Sequence, residues 1–554
     1  MSKQKSKFRG LIVQGSILAL AGLICRIIGL ARRIPLTNII GDTGNGYYTA
    51  AYEVYSIVLI LSSYSLPSAV SKLVAARQTR GQYRKMQNIF KSALMISIIF
   101  GGLCSLIIFI FADKIAANII FEPMSALPLR ILSPTIFVVS LMAVFRGYFQ
   151  GLGVMTHTAV SQIIEQIILV IVSLSGAYLL FGIGTKYGNL MMNANYAASM
   201  GAAGATIGCG VGAVAGLLYL FFVYYKNKPE IDKRVNMDGA RSKDTFIDLA
   251  FLILKTAAPM ILCSTMYNIT GFLDQAIFNH YMSGIGQSDL KSFYYGVYSG
   301  KYKMLINLPI ALANAMSSAI IPSLTSSISN KDYVSARSKM GSVIRVTMII
   351  SFPSAVGLTI LARPILSLLF KGEIDLAVIM LTYGTVSIVF FSLSTLGNAI
   401  LQGINKIFTP LVNSILALIA HLGIYLLMLR VFKWGIHSVI LSNIAFAAIV
   451  CILDYLAISR TIKYRQELKQ TFIIPLISSV IMGALTFGIY KLTDLFLDYK
   501  IALFIAIFIA IIIYFTVLIL LGGINEYDLR MIPYGNKILK LLSKFGIYKE
   551  NDSD

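Results

Sequence analysis

Apolar residues run through this chain in long blocks with short polar turns between them, a pattern with neither the period of two of a half-buried strand nor the one-sided stripe of a surface helix. Apolar windows of the ~20 residues needed to cross a bilayer as a helix fall at 11–40, 46–74, 88–112, 127–150, 157–182, 197–224, 246–280, 292–325, 342–362, 376–402, 407–431, 436–459, 472–494 and 500–522. These fourteen windows predict an all-α polytopic membrane protein. The first, seventh and eighth are longer than a bilayer requires, so they are expected to tilt, bend or protrude.

The turns alternate in charge. The N-terminus, 75–91, 225–245, 329–345, 460–469 and the tail are rich in Lys and Arg, whereas the intervening turns are sparse, with Asp42, then Asp113 and Lys114, and later Asp494, Asp498 and Lys500. An even number of spans with both termini cytoplasmic places every basic turn inside. The protein is thus expected in a bacterial plasma membrane, and its net charge of +23 calls for no nucleic-acid partner. Lys3, Lys5, Lys7 and Arg9 ahead of an apolar run with Ala19-Leu20-Ala21 imitate a signal peptide, but the run continues past Ala21 and reads as an uncleaved first helix. The five cysteines lie in apolar runs without a CxxC pair, and the four histidines lack metal-ligand spacing, so no metal site is expected.

The chain repeats itself at an offset near 250 residues. FQGLGVMTHTAVSQI from Phe149 matches LQGINKIFTPLVNSI from Leu401, the turn at Tyr83 matches that at Tyr333, and Tyr47-Tyr48 match Tyr294-Tyr295. Six spans per repeat keep both halves in the same orientation, which is the parallel-repeat plan with a site between the halves. The expected organisation is a first lobe at 1–224, a cytoplasmic linker at 225–245 and a second lobe at 246–459. Two extra helices at 460–522 and a basic cytoplasmic tail at 523–554 complete it.

Residues 23–46, LICRIIGLARRIPLTNIIGDTGNG, carry the strongest chemical signal. Arg26 would lie roughly 22 Å along the first helix if that helix enters the bilayer near Leu11. A cation there costs ~2.5–3.5 kcal/mol on insertion scales, so it should face a cavity or a partner. Gly22, Arg26, Gly29 and Arg33 fall on nearly one face, with glycines beside the cations, and Pro35 is expected to kink or break the helix before the GDTGNG turn. Arg26, Arg32 and Arg33 are candidate contacts for an anionic substrate. Lys301 and Lys303, in the eighth window, are expected to line the opposite wall, with Glu53 pairing a nearby cation. Lys72 and Arg146 are candidates for a cytoplasmic rim, and Asp274 with Asn268 for a cation site. The sequence contains no Walker A motif and no external domain, so neither ATP-driven transport nor glycosyl transfer is indicated.

CRIIGLARRIPLTNIIG, GYYTAAYEVY and SLPSAVSKLVA resemble the N-terminal signature of the MurJ-type lipid II flippases, in the Gram-positive branch that includes SpoVB-like proteins. These belong to the multidrug/oligosaccharidyl-lipid/polysaccharide flippase superfamily. FRGYFQG, LPIALANAMSSAIIPSLTSS and LGNAILQGINK extend the likeness over nearly the whole chain. The resemblance implies two six-helix lobes, two further helices flanking a lipid-accessible groove, and a cationic cavity for a diphosphate-sugar head. Arg26 and Arg32 match the family's first-helix cavity arginines, and Lys301 or Lys303 stands near an Asp-Arg pair of some members. A sodium site in the second lobe is also implied, for which Asp274 is the candidate. The chain departs from the pattern at Tyr47, where some members carry aspartate, and near Ile60, where some carry arginine.

The function expected is therefore a transporter, not an enzyme. It would carry undecaprenyl-diphosphate-linked peptidoglycan precursor (lipid II) to the outer leaflet by alternating access, without a cofactor, driven by Na+ or the membrane potential. Its partners would be the lipid-linked oligosaccharide diphosphate, membrane lipids and the cell-wall synthesis machinery. The rivals are a flippase for another lipid-linked polysaccharide of sporulation, capsule or teichoic type, a cation-coupled drug exporter, and a non-transporting scaffold. An exporter of cationic drugs would call for an acidic cavity, against the arginines. The predicted orientation is tested by single cysteines in a cysteine-free background. At Gln82 or Asp332 they should react with an impermeant maleimide only after cells are opened, and at Asp498 in intact cells.

Overall fold

The computed structural model describes residues 2–64, 66–193, 195–238, 245–406 and 408–523, and every regular element among them is helical. The basic tail expected at 523–554 lies outside the described residues apart from its first position. Two compact units divide the chain, Met1–Met304 and Leu305–Asp554.

The first unit holds α1 (Ser2–Leu59), α2 (Leu66–Gln78), α3 (Tyr83–Ile96), α4 (Gly102–Lys114), α5 (Ala126–Gly151), α6 (Thr156–Leu190), α7 (Asn195–Met237), α8 (Phe246–Gly284) and α9 (Lys291–Val297). One wide π turn joins α1 to α2 at Ile60–Tyr64, another joins α3 to α4 at Ser97–Gly101, and a third follows α9 at Tyr298–Tyr302. Helix α10 (Lys303–Ser329) starts in this unit. The second unit holds the rest of α10, then α11 (Tyr333–Ile360), α12 (Ala362–Leu369), α13 (Asp375–Gly384), α14 (Val386–Gly403), α15 (Thr409–Arg430), α16 (Ile436–Ile462), α17 (Ile474–Asp494) and α18 (Tyr499–Leu520).

Among the described residues, each apolar window of the sequence falls mostly on helix, with single-residue breaks at Leu361 and Thr385. By length and composition, eleven described helices suffice to cross a membrane. The first two windows run together in one of these, while α8 and the α9–α10 segment, which fill the seventh and eighth windows, are not among the eleven. Two local expectations change. The backbone passes helically through Pro35 and breaks at Gly41, where φ is 71° and ψ 178°, a conformation open to glycine at no steric cost. The first half of the 225–245 turn is also helix, because α7 continues to Met237. There Asn227 donates to the Val223 carbonyl at 2.8 Å and Arg234 pairs with Glu230 one turn back at 2.5 Å.

The internal repeat is visible in the backbone. After α2, the Gly81 N–H donates to the Gln78 carbonyl and Gln82 to Arg77. After α10, Lys331 donates to Ile328 and Asp332 to Ser327. Gly153 and Val154 after α5, and Asn405 and Lys406 after α14, repeat this pair of bonds, and Gly81, Lys331, Gly153 and Asn405 all have positive φ. The same left-handed helix stop thus recurs at offsets of 250 (81 to 331) and 252 (153 to 405). In each unit the glycine before the second stop meets the helix before the first. A Cβ on Gly151 would lie 2.7 Å from the Val74 Cβ, and one on Gly403 would lie 3.0 Å from Leu324.

The backbone of α7 lies directly on α6 through Gly204, Gly208, Gly212 and Gly216. A Cβ at the first three would meet the Gly176 carbonyl oxygen at 2.1 Å, the Ser173 nitrogen at 2.5 Å and the Glu165 carbonyl oxygen at 2.7 Å. Glycine every fourth residue lets two membrane helices touch backbone to backbone, where dispersion replaces the missing hydrophobic drive. This seam fixes Ser161, Glu165 and Ser173 on α6, each of which has a polar role below. Gly204→Ala is predicted to lower stability by roughly 1–3 kcal/mol through overpacking. Gly182→Ala, whose Cβ would meet nothing within 4 Å, should be neutral or raise stability by up to ~1 kcal/mol through helix propensity. Thermal melts of the detergent-solubilised proteins followed by gel filtration distinguish the two.

Candidate functional site

The candidate cations of the first unit fall into two sets. In the first set each cation is engaged. Arg32 on α1 is 7% exposed and donates to the Ser173 hydroxyl on α6 at 2.7 Å and to the Tyr48 hydroxyl at 3.2 Å. Tyr48 stacks on Tyr52, and Tyr52 contacts Tyr55, with ring centroids 5.7 and 5.5 Å apart, so a tyrosine ladder backs the guanidinium. On α5, Arg146 forms an ion pair with Glu165 of α6 at 2.7 Å and donates to Ser161 at 3.0 Å. The α6–α7 glycine seam sets the position of α6, which carries the acceptors of both arginines, and so links the packing to the electrostatics.

A dense series of polar links ties the part of α1 beyond Gly41 to α8, α9 and the turn before α5. Lys301 is fully buried and forms an ion pair with Asp42 at 2.7 Å, while Lys303 lies 3.4 Å from Glu53. Instead of facing an open wall, the Lys301 ammonium is thus enclosed against Asp42, and the expected GDTGNG turn is a break at Gly41 followed directly by helix. Glu53 is wedged beside Gly271 of α8, where a Cβ would lie 2.8 Å from its carboxylate. Lys291 donates to the Phe121 carbonyl at 2.5 Å and lies 3.8 Å from buried Glu122, which also accepts from the Ser292 hydroxyl. Gln275 donates to the Gly46 carbonyl at 3.2 Å, Asn279 to the Ile120 carbonyl at 2.9 Å, and Thr49 to the Ser299 hydroxyl at 2.9 Å. Backbone contact makes these links short: Cβ atoms on Gly46 and Gly296 would overlap the Ser292 and Asp42 carbonyl oxygens.

The second set is open. Arg26 is exposed, Arg33 is half-buried and Lys72 on α2 is exposed, and none of the three has an acidic partner among the described residues. Arg26 and Arg33 are two turns apart on α1, about 10 Å. Between them a Cβ on Gly29 would lie 3.1 Å from the Gln166 amide, so α1 is held against α6 at that point. Two guanidiniums at this spacing, without internal counter-charge, can take up an anionic group and give it bidentate, charge-assisted hydrogen bonds.

Asp274 and Asn268 are both on α8. Asp274 is buried, whereas the Asn268 side chain is exposed and donates to the Ser264 carbonyl on its own helix at 2.8 Å. Sequence reasoning did not assign Glu122, Lys291, Ser173 or Tyr48 to the site. The glycine spacing at 204–216 was the available signal for Ser173, but nothing local marks Glu122 as the partner of a lysine 169 residues on. Lys301→Ala should cost ~3–5 kcal/mol, because it strands Asp42 without its counter-charge. Pairing it with Asp42→Asn should recover much of that loss. Denaturation of the two singles and the double, as a mutant cycle, measures the coupling.

The sequence profile of the polysaccharide biosynthesis protein family matches residues 12–328. The lipid II flippase MurJ of Bacillus subtilis is 25% identical over 498 residues, covering 87% of this chain and 89% of the relative. Stage V sporulation protein B of the same organism is 24% identical over 532 residues, covering 94% and 98%. Among solved structures, the lipid II flippase MurJ in an inward closed conformation superposes with a TM-score of 0.62 at 18% identity, over 90% of this chain and 97% of that one. An inward-facing MATE family multidrug transporter of the MOP superfamily gives a TM-score of 0.62 at 15% identity, over 82% and 98%. The fold is that of this superfamily.

Proposed function

Because this chain belongs to the polysaccharide biosynthesis protein family, we propose that it is a flippase for lipid-linked precursors, and that its substrate is the undecaprenyl-diphosphate-linked peptidoglycan precursor, lipid II. It is a transporter rather than an enzyme. The observation that carries the reading is the pair of uncompensated guanidiniums, Arg26 and Arg33, on a helix of the membrane domain in which Arg32, Arg146, Lys301 and Lys303 are all engaged. A diphosphate cannot enter hydrocarbon unaided, because burying unpaired charge costs far more than thermal energy. The two free arginines, with Lys72 nearer the basic end, would replace its hydration while the polyprenyl tail stays in lipid.

The enclosed pairs supply the other half of the cycle. Asp42–Lys301 and Glu53–Lys303 hold the first unit shut at the end opposite the basic turns, which the charge distribution assigns to the outside. Release of the substrate outward requires these pairs to part, and the cost is met by re-pairing or hydrating each charge in the opened state. Alternating access then amounts to exchanging one set of charge partners for another around the diphosphate. The bias comes from the membrane potential, worth ~2.3 kcal/mol per charge per 100 mV, or from a Na+ gradient.

The likeness to the sporulation protein, over nearly the full length of both chains, favours a second substrate of the same chemistry, another undecaprenyl-linked glycan. Complementation separates the two. Expression in a strain depleted of its essential lipid II flippase should restore growth, and Arg26→Ala should abolish the rescue at unchanged membrane level, with Arg33→Ala reducing it at least tenfold. Failure of the wild type at normal expression would move the substrate to the other glycan. Full rescue by the Arg26→Ala, Arg33→Ala double variant would refute the cationic handle.

A further inference from the structure

Within the second unit, Asp454 lies in the middle of a three-helix contact and has no counter-charge among the described residues. It sits on α16, is 1% exposed, and packs against α14 and α15. Its Oδ1 accepts a hydrogen bond from the Asn413 amide of α15 at 2.8 Å. Its Oδ2 is buried and has no hydrogen-bond partner. The carboxylate is pressed against Gly397 of α14, where a Cβ would lie 2.9 Å from Oδ2 and 3.0 Å from the Asp454 Cβ. No Lys, Arg or His pairs with it among the described residues.

The surrounding groups do not alter that balance. On α15, His421 is committed to the Ser442 carbonyl at 2.9 Å. On α16, the Cys451 thiol donates to the Phe390 carbonyl at 3.1 Å, and Tyr455 is exposed. On α14, Gly397 is flanked by Leu396 and Asn398, none of them titratable. An ionised carboxylate enclosed with one amide donor is left with an uncompensated charge, whereas the neutral acid needs only that donor and a proton on the other oxygen.

We propose that Asp454 is a proton-binding site of the second unit. In this conformation it holds a proton on Oδ2, and it gives that proton up to water when α14 draws away from α16. The O–H bond breaks, the proton leaves on water, and the carboxylate left behind keeps the Asn413 amide and gains water donors. Asp454 is eight residues from the end of α16 at Ile462, about 12 Å along the helix, and Asn413 is four residues inside the start of α15 at Thr409. Both helix ends adjoin turns that the sequence assigns to the cytoplasmic side, so the proton exchanges with that face. The site belongs to a different unit from the arginines, and it does not depend on the identity of the substrate they bind.

Infrared difference spectra of the full-length protein in lipid, recorded across a pH titration, test this directly. The wild type should show the C=O stretch of a protonated carboxylic acid that shifts in D2O and disappears as pH rises. Asp454→Asn, which keeps the shape and the neutral state, should lack that band. A spectrum identical in wild type and variant overturns the proposal, as does loss of the band on adding Na+ at constant pH, which would make the ligand a metal cation. Gly397→Ala provides a second variant, since its methyl group would crowd Oδ2 and should move the midpoint of the titration, and an unmoved midpoint counts against the placement. In vesicles, Asp454→Asn should retain downhill lipid translocation and lose its acceleration by a pH gradient. If no lipid is translocated by either protein while the band behaves as expected, the flippase reading fails and the proton site stands.

Discussion

A charge inside hydrocarbon has to be matched, and that requirement governs most of what distinguishes this structure from a bundle of apolar helices. Insertion of a lone cation costs a few kcal/mol on the most lenient scale, and removal of one member of a buried pair costs more. The first unit answers with Arg32 on Ser173 and Tyr48, Arg146 on Glu165, Lys301 on Asp42 and Lys303 beside Glu53. Arg26 and Arg33 are left without an acidic partner among the described residues, and the proposed function puts the external anion there. In the second unit Asp454 poses the same problem with opposite sign, and a proton is the smallest solution.

Close helix packing is the precondition for this matching. Side chains of Ser, Asp and Glu are short, so their helices have to approach nearly to backbone contact before hydrogen bonds of less than 3 Å can form. The glycines at 204, 208, 212 and 216 bring α7 onto α6, and those at 46 and 296 bring α1 onto α9. The same positions that look like packing filler in the sequence therefore set the electrostatics of the site. The π turn at Tyr298–Tyr302 adds a residue to the helical register and places Lys301 within it, next to Asp42 just after the Gly41 break instead of on an open face.

The Gly41 break has a related consequence. Proline at position 35 lacks an N–H and disturbs a helix, yet α1 passes through it, because the break is set one and a half turns later by a residue that can take positive φ. The break lets the segment carrying Asp42, Asn45 and Glu53 depart from the line of the arginine-bearing segment. One continuous stretch of sequence thus supplies both the open cations and the acids of the enclosed pairs.

By itself the sequence determined the helical class, the positions of the apolar windows, the repeat near 250 residues and the unusual density of arginine in the first helix. Each of these is a local or periodic property, read from hydropathy, spacing and residue type, and the matching backbone stops at Gly81 and Lys331 and at Gly153 and Asn405 are its direct imprint. Only the tertiary structure decided which cations are spent and which are free. The partners of Lys301 and Lys291 lie 259 and 169 residues away, and neither hydropathy nor helical period carries information about pairing over such distances. Helical spacing separates Arg32 from Arg26 and Arg33 in the sequence, but it does not say which of these faces finds a partner. Arg32, about 100° around the helix from Arg33, meets the Ser173 and Tyr48 hydroxyls, a difference that becomes chemical only when the neighbouring helix is in place.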